Sequence, residues 1–282
     1  MRVSAGAKIN LYLEITGRDP SDGYHTLDSL FQEISLADSI DIEPRGDAGD
    51  DRVVFSGVQI EGRSTVHRAL ELFRERFGTV TRYDVRVEKM IPVGAGLGGG
   101  SSDAGAILLA LAGMHGVEKS ELLPVAARIG SDVPFFLYGG LCRVTGKGEK
   151  IVPVGRRLEN VHFVIVWPGR GVETKWAYSL VKTYADGPVP ALSGDNSPWN
   201  IAFLKETVYN KFQGLVFRAI KELETAKNEL DALVVPECSF MSGSGSSLVF
   251  SWSEKDRARE ALERIRSRYS WPAFLADPVY RN

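Results

Sequence analysis

The chain has 282 residues, 44% of them hydrophobic and 25% charged, with a formal net charge of −2; this is the balance of a folded globular protein rather than a disordered one. No basic excess points to a nucleic-acid surface and no acidic block to a solvated tail. Cys142 and Cys238 lie far apart in no metal-like spacing, which predicts a reduced cytoplasmic protein, and neither a signal peptide nor an apolar run near the roughly 20 residues of a membrane span is expected.

In chain order, KINLYLEI (8–15) alternates as a strand, with Leu11, Leu13 and Ile15 expected on one face and Asn10 and Tyr12 on the other. RDPSDGY (18–24) carries turn chemistry in Pro20 and Gly23. SIDIEP (39–44) alternates again, and GDAGDD (46–51) reads as a polar loop. HRALELFRERF (67–77) has helical spacing, and YDVRVEKMIP (83–92) predicts a half-buried strand that stops at Pro92. Past the glycines, Ala104, Ile107, Leu108, Leu111 and Met114 form an i, i+3, i+4 stripe, so a helix is expected from near Ser101–Ser102. SELLPVAARI (120–129) predicts a second helix, capped by Ser120 and ended by Gly130, and SDVPFFLYGGLCRV (131–144) an extended segment.

The second half opens with the strand HFVIVWP (162–168) and a helix expected from Glu173 to Tyr184. DGPVPALSGDNSP (186–198) is linker-like. Helical patterns follow from Trp199 to about Leu233, then ECSFMSGSGSSLVFSW (237–252) as strand, small-residue turn and strand. KDRAREALERIRSRY (255–269) is a helix striped by Ala258, Ala261, Leu262 and Ile265. Helices and strands are mixed throughout, in two lobes parted near residue 155.

The stretch PVGAGLGGGSSDAG (92–105) sits between a strand and a helix. Unpaired N–H groups at a helix start and the helix dipole favour an anion there. Glycine lets the backbone approach a phosphate closely and lets successive N–H groups converge. Ser101 and Ser102 add hydroxyls, and Asp103 is placed to cap the helix or approach a metal ion. A flexible linker is the bland alternative, but linkers seldom open directly into a periodic helix. GAGLGG (94–99) also matches the dinucleotide fingerprint, yet Ile91 and Pro92 intervene before the first glycine and no clear acidic partner follows. TGKGE (145–149) lacks the Ser or Thr and the spacing of a Walker A loop.

Other chemistries find little support. His25, His67, His115 and His162 show no zinc spacing. GDAGDD lacks the ligand pattern of a calcium loop, and SGSGSS misses the G-x-S-x-G spacing of a serine hydrolase. That turn reads either as a tight hairpin or, preferably, as a backbone wall close to substrate.

PVGAGLGGGSSDAG resembles the P-x-x-x-G-L-G-S/G-S-S motif of the GHMP kinases, named for galactokinase, homoserine, mevalonate and phosphomevalonate kinases. AKINLYL (7–13) with DGYH (22–25), IGSDVPFFL (129–137) and SGSGSSLVF (242–250) look like further motifs of the branch that phosphorylates a cytidyl-bearing polyol of the non-mevalonate isoprenoid route. The resemblance runs over nearly the whole chain. It implies an α+β, two-lobed fold: a lobe like ribosomal protein S5 domain 2 over 1–154 and a ferredoxin-like lobe over 155–282, with the site between them.

It also implies roles. Lys8 and Asp132 occupy the positions of the catalytic pair; a hydroxyl attacking a γ-phosphoryl needs a proton acceptor and a cation. Pro92, Val93, Gly94, Ala95, Gly96, Leu97, Gly98, Gly99, Gly100, Ser101 and Ser102 would hold ATP. Asn10 would hold the erythritol part, and Tyr24, His25 and Tyr178 the cytosine, with Trp176 a neighbouring competitor for Tyr178. ATP is the implied co-substrate, with Mg2+ carried on its phosphates and no protein metal cage. A small-molecule substrate is implied, and no nucleic-acid, membrane or obligate protein partner. Two positions depart from the family pattern: Ser64-Thr65 replaces a usual Asn-Leu, and YNKFQ (209–213) replaces a more acidic run. A sister kinase acting on another alcohol, or a nucleotide-binding module that has lost catalysis, are the alternatives; DGYH speaks against the first, and Lys8 with Asp132 against the second.

Overall fold

A computed structural model describes residues 1–46, 49–60, 62–185 and 198–281. The linker-like run at 186–198 lies outside these residues except for its last, and the loop at 46–51 lies partly outside. The elements are β1 (Arg2–Arg18), β2 (His25–Pro44), β3 (Arg52–Ser56), α1 (Thr65–Phe77), β4 (Tyr83–Glu88), α2 (Gly99–His115), a 3-10 turn (Lys119–Leu122), α3 (Leu123–Ile129), α4 (Val133–Tyr138), β5 (Leu141–Gly146) and β6 (Lys150–Pro153). There follow β7 (His162–Val166), α5 (Thr174–Ser179), α6 (Ile201–Thr207), β8 (Tyr209–Asn210), α7 (Lys211–Ala219), α8 (Lys221–Val234), β9 (Cys238–Met241), β10 (Leu248–Trp252), α9 (Lys255–Arg268) and β11 (Ala273–Ala276).

The spine of the first sheet is β2, whose 20 residues are long enough to serve three partners. It pairs antiparallel with β1 along its length, with β5 through Leu27 to Gln32, and with β4 through Ser39 to Pro44. The short strands β3 and β8 add in parallel beyond β4 and β1. In β1 the pairing shifts register, Asn10 opposing Phe31 and Tyr12 opposing Leu30, so Leu11 is the extra residue of a bulge. The bulge changes the side-chain phase and corrects the simple alternation expected for this strand. Leu11 packs with Ile9 and Tyr12 in one core, while Leu13 and Ile15 enter another. Lys8, Asn10 and Leu13 consequently face the same cleft.

Helix α2 begins at Gly99, two residues earlier than its apolar stripe suggests, and is buried nearly all round between β1, α1 and α4. Its many small residues allow that close packing, so a one-sided stripe is the wrong description. Ser120 does not cap α3; it lies within the 3-10 turn, and α3 starts at Leu123 with a proline in its first turn and no side-chain cap. The segment 131–144 is not wholly extended: its first half is α4, where Pro134 sits in the first turn and needs no N–H partner. Helix α5 is shorter than expected, ending at Ser179, and the helical stretch after Trp199 is divided by β8 and a break at Ile220.

The second sheet runs β11-β7-β10-β9, all antiparallel. Taken in chain order this is fourth, first, third, second, with helices between first and second and between third and fourth strands, the ferredoxin-like arrangement. The predicted stripe of α9 is buried against this sheet. The architecture is therefore α+β and two-lobed. Among the described residues no helix is long and apolar enough to cross a membrane.

Candidate active site

The glycine-rich segment and the SGSGSS turn lie back to back. Gly96 has φ 77°, and a Cβ there would stand 2.5 Å from the Ser242 carbonyl oxygen and 2.9 Å from that of Gly245. Only glycine tolerates both the backbone angle and the approach. Ser247 N donates to the Ala95 carbonyl at 3.1 Å, and Ser242 Oγ donates to the Gly96 carbonyl at 3.3 Å. The SGSGSS stretch is thus both a hairpin turn, with Ser242 N on Ser247 O at 2.9 Å, and one wall of the cleft, through Gly243 and Ser244. Asn210 holds it from behind, its side-chain amide donating to the carbonyls of Met241 (2.6 Å) and Gly243 (2.8 Å).

Gly98, with φ 72°, precedes α2 without any side-chain cap. The amides of Gly99, Gly100 and Ser101 open the helix and have no intrahelical acceptor. Ser101 lines the cleft, whereas the hydroxyl of Ser102 turns away and donates to the Gly6 carbonyl at 2.7 Å. That bond, with Lys8 N on Leu97 O at 2.9 Å, ties the loop to β1. Thr65 Oγ1 donates to the Gly100 carbonyl at 2.6 Å, and Ser64 is the N-cap of α1 in a capping box with His67. Both residues line the cleft, so the Ser64-Thr65 departure serves helix capping and loop anchoring.

Asp103 neither caps α2 nor faces solvent. It is buried and accepts from Lys89 Nζ at 2.7 Å, while Lys89 also bonds Asp38, whose other oxygen accepts from the amides of Met90 (2.6 Å) and Ile91 (2.8 Å). Burial, opposed by Lys89 and reinforced by Asp38, raises the Asp103 pKa from 3.8 to about 7. Sequence reasoning missed this buried triad beneath the loop.

A cleft of about 350 Å³ runs along the loop and is lined by residues 92–101 of it together with Lys8, Asn10, Asp132, Thr174 and Tyr178. Lys8 Nζ donates to Asn10 Oδ1 at 2.6 Å and lies 3.5 Å from Asp132 Oδ2. It also stands 4.6 Å from the centre of the Phe31 ring. Burial lowers the Lys8 pKa, and Asp132 opposes that shift. Asp132 is the residue before α4, uses no side-chain cap bond, and keeps 31% of its side chain exposed to the cleft. Asn10 is held in turn by its amide on Ser29 Oγ at 3.0 Å.

The three aromatic positions are less uniformly gathered. His25 stacks on Tyr178 with ring centres 4.9 Å apart, and Tyr178 also meets Phe212 edge-on. Arg18 Nε donates to His25 Nε2 at 3.2 Å, which makes Nε2 the acceptor and leaves Nδ1 to carry the proton of the neutral ring. Burial and then Arg18 lower the His25 pKa. Burial, with Asp132 second, raises that of Tyr178, which stays a phenol. Tyr24 is 64% exposed, and both it and His25 stand outside the cleft lining, to which Tyr178 alone of the three belongs. Trp176 packs on the core but does not line the cleft. Phe31, Phe212 and Val172 also line the cleft and were not singled out from the sequence.

Residues 64–140 match the GHMP kinases N terminal domain. A crystal structure of mevalonate kinase, 13% identical, shares the fold with a TM-score of 0.67 over the whole of both chains. The fold is that of the GHMP kinases, small-molecule kinases for which ATP is the co-substrate. Likenesses at higher identity narrow the class. A 4-diphosphocytidyl-2-C-methyl-D-erythritol kinase from Syntrophotalea carbinolica is 35% identical over 282 residues, 98% of each chain. A crystal structure of 4-(cytidine 5′-diphospho)-2C-methyl-D-erythritol kinase is 33% identical, with a TM-score of 0.81 over 98% of each chain. The chain belongs to the 4-diphosphocytidyl-2-C-methyl-D-erythritol kinase family.

Proposed function

We propose that this chain transfers the γ-phosphoryl group of ATP to the 2-hydroxyl of 4-diphosphocytidyl-2-C-methyl-D-erythritol, a step of the non-mevalonate route to isoprenoid precursors, in the cytoplasm. The observation that carries the reading is the Lys8–Asp132 pair, 3.5 Å apart, in the same cleft as the amides that open α2. The backbone of 92–101 takes the triphosphate, with Ser102 anchoring the loop rather than touching the nucleotide. Asp132 accepts the proton of the acceptor hydroxyl. Lys8, held by Asn10 at 2.6 Å, keeps that hydroxyl oriented and balances charge on the transferred group. Asn10 lies beside the polyol.

Among the described residues two carboxylates line the cleft; Asp103 is engaged by Lys89, and Asp132 is the one partly open. That set fits a Mg2+ that would arrive on the phosphates of ATP, with Asp132 the side chain free to hold it from the protein; bound so, the ion would supply charge neutralisation on the nucleotide. His25 and Tyr178 form the cytosine site, with the Nδ1 proton of His25 reading the base edge, and Tyr24 closes over the base once substrate is present. Residues 1–154 and 155–282 act as the two lobes on either side of the reaction.

The test is ATP consumption measured in parallel with the cytidyl polyol, mevalonate, homoserine and galactose. Turnover with the cytidyl polyol alone is the expected result; preference for one of the other three alcohols would refute the substrate assignment.

A further inference from the structure

We infer that Arg281 is a positioning residue for phosphoryl transfer, clamping α4 from the C-terminal tail so that Asp132 and one wall of the glycine loop are held together. The inference rests on the proposed function for the reaction it serves. After β11 the tail leaves the second sheet and runs beside β2: Ser35 N donates to Asp277 O at 2.9 Å, Val279 N donates to Glu33 O at 2.9 Å, and Ile34 bridges to Pro278. There Arg281 meets Glu33, whose side chain is 4% exposed. The pair is bidentate, with Nη2 on Oε1 at 2.6 Å and Nε on Oε2 at 3.0 Å. Oε2 also accepts from Gly140 N at 3.0 Å.

The third donor of the guanidinium carries the argument. Arg281 Nη1 donates to the Phe136 carbonyl at 2.9 Å, in the last turn of α4. That helix has six residues, too few to be stable on its own hydrogen bonds, and Asp132 stands directly before it. Phe136 is also the wedge behind the glycine loop. A Cβ on Gly98 would be 2.9 Å from its ring, and one on Gly105 would be 2.7 Å from its Cβ. A shift of α4 therefore moves the carboxylate and the support of Gly98 together. The turn after α4 is built around the same ion pair: Gly139 has φ 68°, and a Cβ there would overlap both Glu33 and Arg281.

Arg281→Ala alone strands a buried carboxylate and destabilises the fold, so the deciding variant is Arg281→Ala combined with Glu33→Gln. Its kcat on the cytidyl polyol is expected to fall about 10- to 100-fold, the scale of an ångström-level misplacement, with both KM values within about three-fold. Its melting temperature recovers relative to Arg281→Ala, and amides 133–140 exchange with deuterium about ten-fold faster than in the parent. Arg281→Lys, which keeps the charge without the fork, gives an intermediate kcat. The inference is overturned if kcat stays within about two-fold of the parent, or recovers in step with the melting temperature, either of which marks a merely structural clamp. Unchanged exchange at 133–140 also overturns it. A parent that does not phosphorylate the cytidyl polyol defeats the proposed function instead, and the exchange measurement still decides the clamp.

Discussion

At the end of the cleft proposed for the phosphates, the loop is held by buried backbone contacts: Lys8 N on Leu97 O, Ser247 N on Ala95 O, and Gly96 pressed against two carbonyls of the SGSGSS turn. At the end proposed for cytosine, the DGYH turn is closed by main-chain bonds near the surface, Asp19 N on Tyr24 O and Gly23 N on Asp19 O, both 2.8 Å, and is braced by Lys147, whose Nζ bridges Asp19 at 2.8 Å and also Asp22, with all three side chains partly exposed. Exposed ion pairs contribute little and are screened by salt, whereas buried main-chain bonds are obligatory. The contrast teaches where precision is needed. Phosphoryl transfer is catalysed chiefly by positioning and charge, and the loop proposed to supply its donors is fixed in advance; the turn proposed for base recognition lies at the surface, with Tyr24 exposed.

Four predictions sharpen that contrast, from the largest effect to the smallest. Asp132→Asn should fold normally and lose turnover by about 10²–10⁴, the span for removing a general base; steady-state kinetics with circular dichroism checks both halves, and activity within a few-fold of the parent would remove Asp132 from the role. Tyr178→Ala should raise KM for the cytidyl polyol by roughly 5- to 100-fold, the equivalent of losing one stacked base contact, with KM for ATP unchanged. Trp176→Ala should leave both near the parent values, and the reverse pattern would move the assignment to Trp176.

The third prediction concerns pH. In the folded chain Asp103 titrates at about 7 instead of 3.8, so between those values the native state holds a proton that the unfolded chain has released. Stability from this group is full below pH 4 and lost as pH rises through 7. Asp103→Asn should flatten that decline in denaturant titrations across the window; an unaltered slope would show that Asp103 is not its source. Lys147→Ala should have the smallest effect, a rise in KM for the cytidyl polyol of no more than about three-fold that disappears near 0.5 M salt. A large, salt-independent loss would mean that the turn is as rigid as the loop.

Much of the glycine-rich loop and its surroundings was legible because the signals there are local. A strand, six glycines and a periodic helix follow one another directly, and Lys8 and Asn10 are two apart on a strand, hence on one face. In the second lobe β7, β9, β10 and α9 were readable for the same reason, each carrying its own local pattern, whereas the ferredoxin-like arrangement came from the family resemblance and β11 was not read as a strand. What escaped was either aperiodic or remote. VPFFLY is a continuous apolar run in which a short buried helix and a strand look alike, so α4 was hidden along with Phe136. The bulge at Leu11 depends on pairing with β2, and Lys89 finds Asp38 and Asp103 at separations of 51 and 14 residues. Arg281 reaches Glu33 across 248. The DGYH stretch was legible as a turn, but only tertiary packing brings His25 onto Tyr178 and leaves Tyr24 outside.

The most direct test is a crystal structure with a non-hydrolysable ATP analogue and the cytidyl polyol bound together. The account predicts the triphosphate against the amides of 93–101, and the acceptor hydroxyl within hydrogen-bonding reach of both Asp132 and Lys8 Nζ. A triphosphate lodged elsewhere, or an acceptor hydroxyl remote from residues 8 and 132, would contradict it.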